Sequence, residues 1–549
     1  MSEVKTAPCV ATNQTQVAEK VLRLFALSSE VLNEEAEREA YLTGLSHEFL
    51  RRDNISADGF LSALAEDFLE SHVPEMPGEL SDYLDYLQRY VILNSINTSS
   101  PRFIGHMTTA LPHFVRPLSH LLTALNQNLV KLETSKSLSF CERQSLAMMH
   151  RLIYRFEDEF YDEHIQHRDS TLGMIVSGGT VANLTALWCA YNAALGPHNG
   201  LAGVDKVGLP AALSARGYSG AVIIGSSLMH YSLDKAAGLL GLGTNNLIRV
   251  PVDARHRIDL KTLRETIAGC RAEDKLIVAL VGNAGTTDSG AIDPLVEMAQ
   301  IARDAGVHFH VDAAWGGALL FSRRHQHRLA GIELADSVTI DGHKQLYLPM
   351  GIGMVLLRNP HLARVIERNA QYIIRANSLD LGKRALEGSR PAMVLYLHAA
   401  LHLIGRQGYE VLIDENLRKT DYMAQHIRER SEFQLLTEPQ MNILNYRAIP
   451  SALRASASNG QLSDSDNKVV DEFNLRLQRT QRQAGRSFVS RTMLNITDHG
   501  QGPPLVALRA VIANPLTTEA DIKAVLDQQL DLVNGSSSTA HTDSINQSV

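Results

Sequence analysis

The chain has 549 residues, of which 44% are hydrophobic and 20% charged, a composition that excludes a disordered or fibrous protein. Its formal net charge is −8 with both signs interspersed, so no nucleic-acid partner is expected. No apolar stretch reaches the ~20 residues that span a bilayer, so no membrane partner is expected either.

The first six residues are polar and no apolar core follows them, so no secretory signal is expected. The four cysteines, Cys9, Cys141, Cys189 and Cys270, are far apart and form no CxxC pair. That pattern speaks against a disulfide framework or a zinc site and fits a soluble, cytoplasmic protein. The basic run from Arg323 to Arg328 reads as a solvated loop.

In chain order, residues 1–115 form a helical zone, in which Val21, Leu22, Leu24, Phe25 and Leu27 recur at helical spacing. Such a stripe must be buried against the main domain or another subunit. Residues 116–400 alternate strand and helix patterns. Strands are expected over 172–176, 221–224, 276–281, 309–311 and 337–340, with helices after the first three. This alternation predicts an α/β domain around a mainly parallel sheet.

A helical stretch near 391–430 leads into a third zone, 401–534, of α+β character. Strands are expected over 443–446, 487–492 and 505–512, and a helix over 469–484. A last helix should start at Thr518, capped reciprocally with Asp521. The Ser/Asn/Asp/Gly-rich residues 450–467 read as a mobile loop, and residues 535–549 as a disordered tail.

Ligands of an open α/β sheet bind at the carboxyl ends of its strands. Four features fall there. Ser177-Gly178-Gly179-Thr180 lies between a strand and a helix, where close backbone approach and amide N–H groups suit a phosphate. Alone, such a stretch is as often a plain tight turn. It is neither a Walker motif nor GxGxxG.

Asp312, followed by Ala313, Ala314, Trp315, Gly316 and Gly317, ends a strand beside small residues that leave room for a planar ring. A carboxylate there can keep a pyridine nitrogen protonated; standing alone it would read as a helix cap. Asp341-Gly342-His343-Lys344 follows another strand, and a lysine in a dry crevice can form an imine. His230, before Tyr231 and Ser232, could stack on a ring. His308 and His310 alternate on a strand without a third ligand, so no metal is expected.

Taken in order, Ser-Gly-Gly-Thr-Val-Ala-Asn, His-Tyr-Ser, Gly-Thr-Thr, Val-Asp-Ala-Ala and Asp-Gly-His-Lys resemble the group II pyridoxal 5'-phosphate (PLP) dependent amino-acid decarboxylases from about residue 101 to 515. The resemblance implies PLP fold type I, with a large domain like that of aspartate aminotransferase, and a homodimer with its active sites at the subunit interface. It also implies residue roles. Lys344 matches the Schiff-base lysine, Asp312 the ring-nitrogen partner and His230 the stacking imidazole.

By the same resemblance Gly178, Gly179, Thr180 and His343 fall at phosphate-binding positions, and Ala314 borders the ring. Thr287 matches a residue that supports the aspartate and the cofactor. Arg509 resembles the arginine that holds a substrate carboxylate, and Tyr372 falls where the family carries a proton-donating tyrosine. Two positions depart from the pattern. Gln345 replaces a common tryptophan, and Asp341 stands where some relatives place a phosphate-contacting asparagine, a repulsive arrangement unless it faces away.

The segment from Pro101 to Thr109 resembles the substrate pocket of the acidic amino-acid decarboxylases. His106, Thr108 and Arg102 could there serve a distal carboxylate, or only shape a subunit interface. The whole chain resembles the bacterial aspartate 1-decarboxylases, so the expected substrate is aspartate and the product β-alanine. Glutamate is the alternative, followed by diaminobutyrate or an aromatic amino acid. Another fold type I reaction shares Asp312 and Lys344 but not the whole motif set, and intact Lys344, Asp312, His230 and Thr180 speak against a non-catalytic PLP-binding homologue.

Overall fold

The computed structural model describes residues 9–56, 61–369, 378–496 and 503–535. Tyr372 and residues 536–549 lie outside the described residues. Short apolar runs in the middle of the chain form seven strands: β1 (Gly173–Val176), β2 (Gly220–Ser226), β3 (Leu247–Val250), β4 (Lys275–Asn283), β5 (His308–Asp312), β6 (Ser337–Asp341) and β7 (Gly353–Leu357). They assemble in the order β1-β7-β6-β5-β4-β2-β3. Strands β3, β2, β4, β5 and β6 run parallel, and β7 is antiparallel to both β6 and β1.

The near-continuous apolar character of these runs follows from burial on both faces of the sheet. Val311, Leu280, Val338 and Ile340 are at most 1% exposed. Because β1 and β6 both oppose β7, the carboxyl ends of β1, β4, β5 and β6 share one edge. The motif loops collect at that edge. β7 reaches its place because Gly353 has no side chain: a Cβ there would lie 2.5 Å from the backbone carbon of Gly178.

A second, antiparallel sheet is built from β8 (Phe433–Leu435), β9 (Ile443–Ala448), β10 (Ser490–Leu494) and β11 (Leu505–Val511), in the order β10-β11-β9-β8. Helices Gly405–Arg428 and Asp464–Ala484 pack on it, and Glu519–Gly535 packs against both of them. The last of these begins with the expected reciprocal cap: Thr518 N–H donates to Asp521 Oδ2 at 3.1 Å, and Asp521 N–H to Thr518 Oγ1 at 3.2 Å.

Residues 450–467 are not a loop. They hold the short helix Arg454–Ser458, and Ser463 and Asp466 form a capping box that starts the long helix at Asp464. The polar composition was cap chemistry rather than a sign of mobility. β3, β7 and β8 are strands the periodicity did not single out.

The amino-terminal zone is helical, with Cys9–Arg23 and Ser29–Leu50 as its long elements. Its stripe is not buried within the chain, since Leu22, Leu24, Phe25 and Leu27 are 69–81% exposed. No helix among the described residues is long and apolar enough to cross a membrane.

Candidate active site

A cavity of about 330 Å³ opens at the carboxyl edge of the large sheet. Gly178, Gly179, Thr180, His230, Thr287, Asp312, Ala314, His343 and Lys344 all line it, drawn from five separate stretches of chain. Ser177, Asn183, Tyr231, Asn283, Thr286 and Asp341 complete much of the wall.

At one end, Gly178 adopts φ +151° and leads into helix Gly179–Ala194, whose amino terminus has no side-chain cap. A Cβ on Gly178 would sit 3.2 Å from His343 Cε1, and one on Gly179 only 2.7 Å from Asp341 Oδ2. The two glycines thus keep a narrow cradle open before a helix dipole, the arrangement that suits a phosphate. Asp341 shares this end: it is buried, Lys344 Nζ lies 3.1 Å from its Oδ2, and its Oδ1 has no hydrogen-bond partner among the described residues.

At the other end, Asp312 is 8% exposed and closes β5. Its carboxylate accepts from Asn183 Nδ2 at 2.8 Å and from the Ala314 amide at 3.1 Å. Thr287 lines the cavity but is not among the groups seen to hold that carboxylate; Asn183 is. His230 Nδ1 lies 2.9 Å from Ser232 Oγ, and burial lowers its pKa, which keeps the ring neutral. A cradle shaped for an anion, an amine and a fixed carboxylate around one enclosed space fit PLP in size and in donor chemistry.

Arg509, on β11, and His106 do not form the wall of this cavity, though His106 lies within electrostatic reach of Lys344, which does. Backbone bonds from Ile104 N–H to Phe488 O (3.0 Å) and from Val511 N–H to Ile104 O (2.6 Å) knit residues 102–105 to the small sheet. A Cβ on Gly105 would touch Ser490 N at 2.4 Å, so only glycine permits this docking. His106 therefore feels the charges of Arg509 and Lys344, which add to burial in lowering its pKa.

His106 Nδ1 is 3.1 Å from Thr108 Oγ1. Arg509 is 8% exposed; its Nη1 donates to Ser490 Oγ at 3.2 Å, while its Nε is buried without a hydrogen-bond partner among the described residues. Burial lowers its pKa, and Asp288 opposes that shift. Arg102 points elsewhere, pairing with Asp521 at 3.3 Å.

Asn183 and Ser232 stand in the quoted motifs without an assigned role, and Asp288 was not singled out from the sequence. Asn183 was within reach: it stands four residues after Gly179, one helical turn along the same face.

Residues 65–449 match the family model "Pyridoxal-dependent decarboxylase conserved domain". The chain is 43% identical over 534 residues to an aspartate 1-decarboxylase of Aliivibrio fischeri, covering 96% of this chain and 97% of that one. It is 28% identical to an L-2,4-diaminobutyrate decarboxylase of Rhizobium meliloti, covering 83% and 82%. The crystal structure of mouse CSAD superposes with a TM-score of 0.79 at 25% identity, covering 92% of this chain and 99% of that one.

Proposed function

The chain belongs to the pyridoxal-dependent decarboxylase family, and on that premise we propose that it removes the α-carboxylate of L-aspartate, yielding β-alanine and carbon dioxide. The observation that carries the substrate is the near full-length likeness to an aspartate 1-decarboxylase. The buried Arg509, whose charge reaches His106, offers a cationic place for a carboxylate, which supports an acidic substrate.

When bound, PLP supplies a conjugated ring that takes up the electron pair left as carbon dioxide departs. The residues' parts in this reading are as follows. Lys344 supplies the amine that carries the cofactor, and the Gly178–Thr180 turn with His343 binds its phosphate. Asp312, held by Asn183 and Ala314, would face the ring nitrogen and keep it protonated. His230 and Ala314, both on the cavity wall, would flank the cofactor ring. Arg509, with His106 and Thr108, binds and orients the substrate carboxylates. Tyr372 is assigned as the proton donor to Cα by resemblance alone.

The test is carbon dioxide release from aspartate, glutamate, cysteine sulfinate, diaminobutyrate and aromatic amino acids by the PLP-loaded protein. Aspartate should give the highest kcat/KM, exceeding glutamate by roughly 10–200-fold, the range one methylene allows. A higher value for any other substrate overturns the aspartate assignment.

The active protein is proposed to be a homodimer. Support comes from the exposed Leu22, Leu24, Phe25 and Leu27, an apolar stripe the single chain leaves uncovered. Light scattering should return the mass of two chains, and a monomer at micromolar concentration would exclude it.

A further inference from the structure

Asn183 is 1% exposed and sits where three separate elements meet. Its Nδ2 donates to Asp312 Oδ2 at 2.8 Å and to Ser232 Oγ at 2.9 Å. Both amide hydrogens are thereby used, which leaves Oδ1 toward His310 Nε2 at 3.0 Å. An amide oxygen only accepts, so His310 must carry its hydrogen on Nε2.

His310 is fully buried, and burial pulls its pKa down to about 4, so its Nδ1 is a free acceptor at neutral pH. Ser337 Oγ, 2.8 Å away, donates to it and in turn lies 2.7 Å from His308 Nε2. Every donor in this chain, from His308 through Ser337, His310 and Asn183, points toward Asp312. A run of aligned dipoles ending on a carboxylate stabilises its negative charge and fixes its orientation. The side branch is fixed as well: Ser232 N–H donates to His230 Nδ1 at 3.3 Å, so that nitrogen accepts, and the Ser232 hydroxyl, which accepts from Asn183, donates to it at 2.9 Å.

We propose that Asn183, oriented by His310, is the positioning residue that sets both Asp312 and His230 for the cofactor ring. One amide thus links the acid assigned to the ring nitrogen with the imidazole assigned to the ring face. The inference rests on the reading of Asp312 as the ring-nitrogen partner.

The experiment is PLP titration of the cofactor-free protein, following affinity and the position of the bound cofactor's visible absorption band. The variants are Asp312→Asn, Asn183→Ala, His310→Leu and His310→Gln. Asn183→Ala and His310→Leu should weaken PLP binding by roughly tenfold or more, the effect of losing a hydrogen bond to a buried charged group. They should also move the band in the direction that Asp312→Asn moves it. His310→Gln, whose side-chain N–H can still reach Asn183, should recover most of both.

Wild-type affinity and band in Asn183→Ala, or lost affinity with an unmoved band, overturns the proposal. So does a His310→Gln variant as impaired as His310→Leu. If Asp312→Asn itself binds and absorbs as the unsubstituted protein does, the reading of Asp312 fails instead. Should His310→Leu not fold, Asn183→Ala and His310→Gln decide the matter.

Discussion

Lys344 Nζ lies 3.1 Å from Asp341 Oδ2, three residues earlier in the chain, and that carboxylate also faces His343 Nε2 at 3.6 Å. The amine proposed to carry the cofactor is therefore paired with an acid that also shares the glycine cradle. That ion pair must break before the amine can bond the cofactor, and the same charge opposes a phosphate entering the cradle.

Asp341→Asn should then speed PLP loading onto the cofactor-free protein at neutral pH, by roughly three- to tenfold for the loss of one nearby charge. Stopped-flow absorbance after mixing with PLP measures it. Loading at the unsubstituted rate or slower would show that Asp341 serves another purpose.

Arg509 is a buried cation whose side-chain hydrogen bond among the described residues goes to Ser490, with Nε unpartnered there. Arg509→Met should raise KM for aspartate by roughly 30-fold or more, as expected when one partner of a buried charge pair is removed. The absorption of bound PLP should stay unchanged. Arg509→Lys should rescue little, because an ammonium lacks the planar fork that grips a carboxylate. Steady-state kinetics and a cofactor spectrum separate these outcomes.

Stability depends on another buried pair. Arg390 Nη1 donates to Glu142 Oε2 at 2.6 Å, Nη2 donates to Oε1, and Glu142 is 1% exposed. Arg390→Ala strands that carboxylate in the interior at a cost of ~3–5 kcal/mol. Urea unfolding of the cofactor-free protein should report a midpoint well below that of the unsubstituted protein, and an unchanged midpoint would refute the estimate.

Acid should weaken the fold through its buried histidines. Burial lowers His310 from 6.5 to about 4 and His150 from 6.5 to about 3. Between those values and 6.5 the unfolded chain binds more protons than the folded one, so stability falls as pH falls through that window. Tm of the cofactor-free protein should decline from pH 7 to pH 5. His310→Gln should make the decline shallower, and an identical slope would count against a neutral His310.

Much of this was readable from local pattern. The alternation of apolar runs and helical segments identified the parallel sheet, because strands buried on both faces must be apolar throughout. The turn chemistry placed Ser177–Thr180, Asp312 and Lys344 just after strands, and the structure brings those three stretches to one cavity. Local pattern misled where polarity had two meanings. Ser463 and Asp466 look like loop residues, yet they start a helix, since capping uses the same side chains as turns.

By itself the sequence determined the fold class and which residues were available for chemistry, because strand burial, helix capping and turn geometry are short-range effects. Only the tertiary structure decided who pairs with whom. Asn183 and Asp312 are 129 residues apart, and their 2.8 Å contact exists because a helix after β1 packs across β5. The stacking of a second sheet against residues 102–105 likewise brings Arg509 within electrostatic reach of His106. Partners that distant are chosen by packing of whole elements, which no local period records.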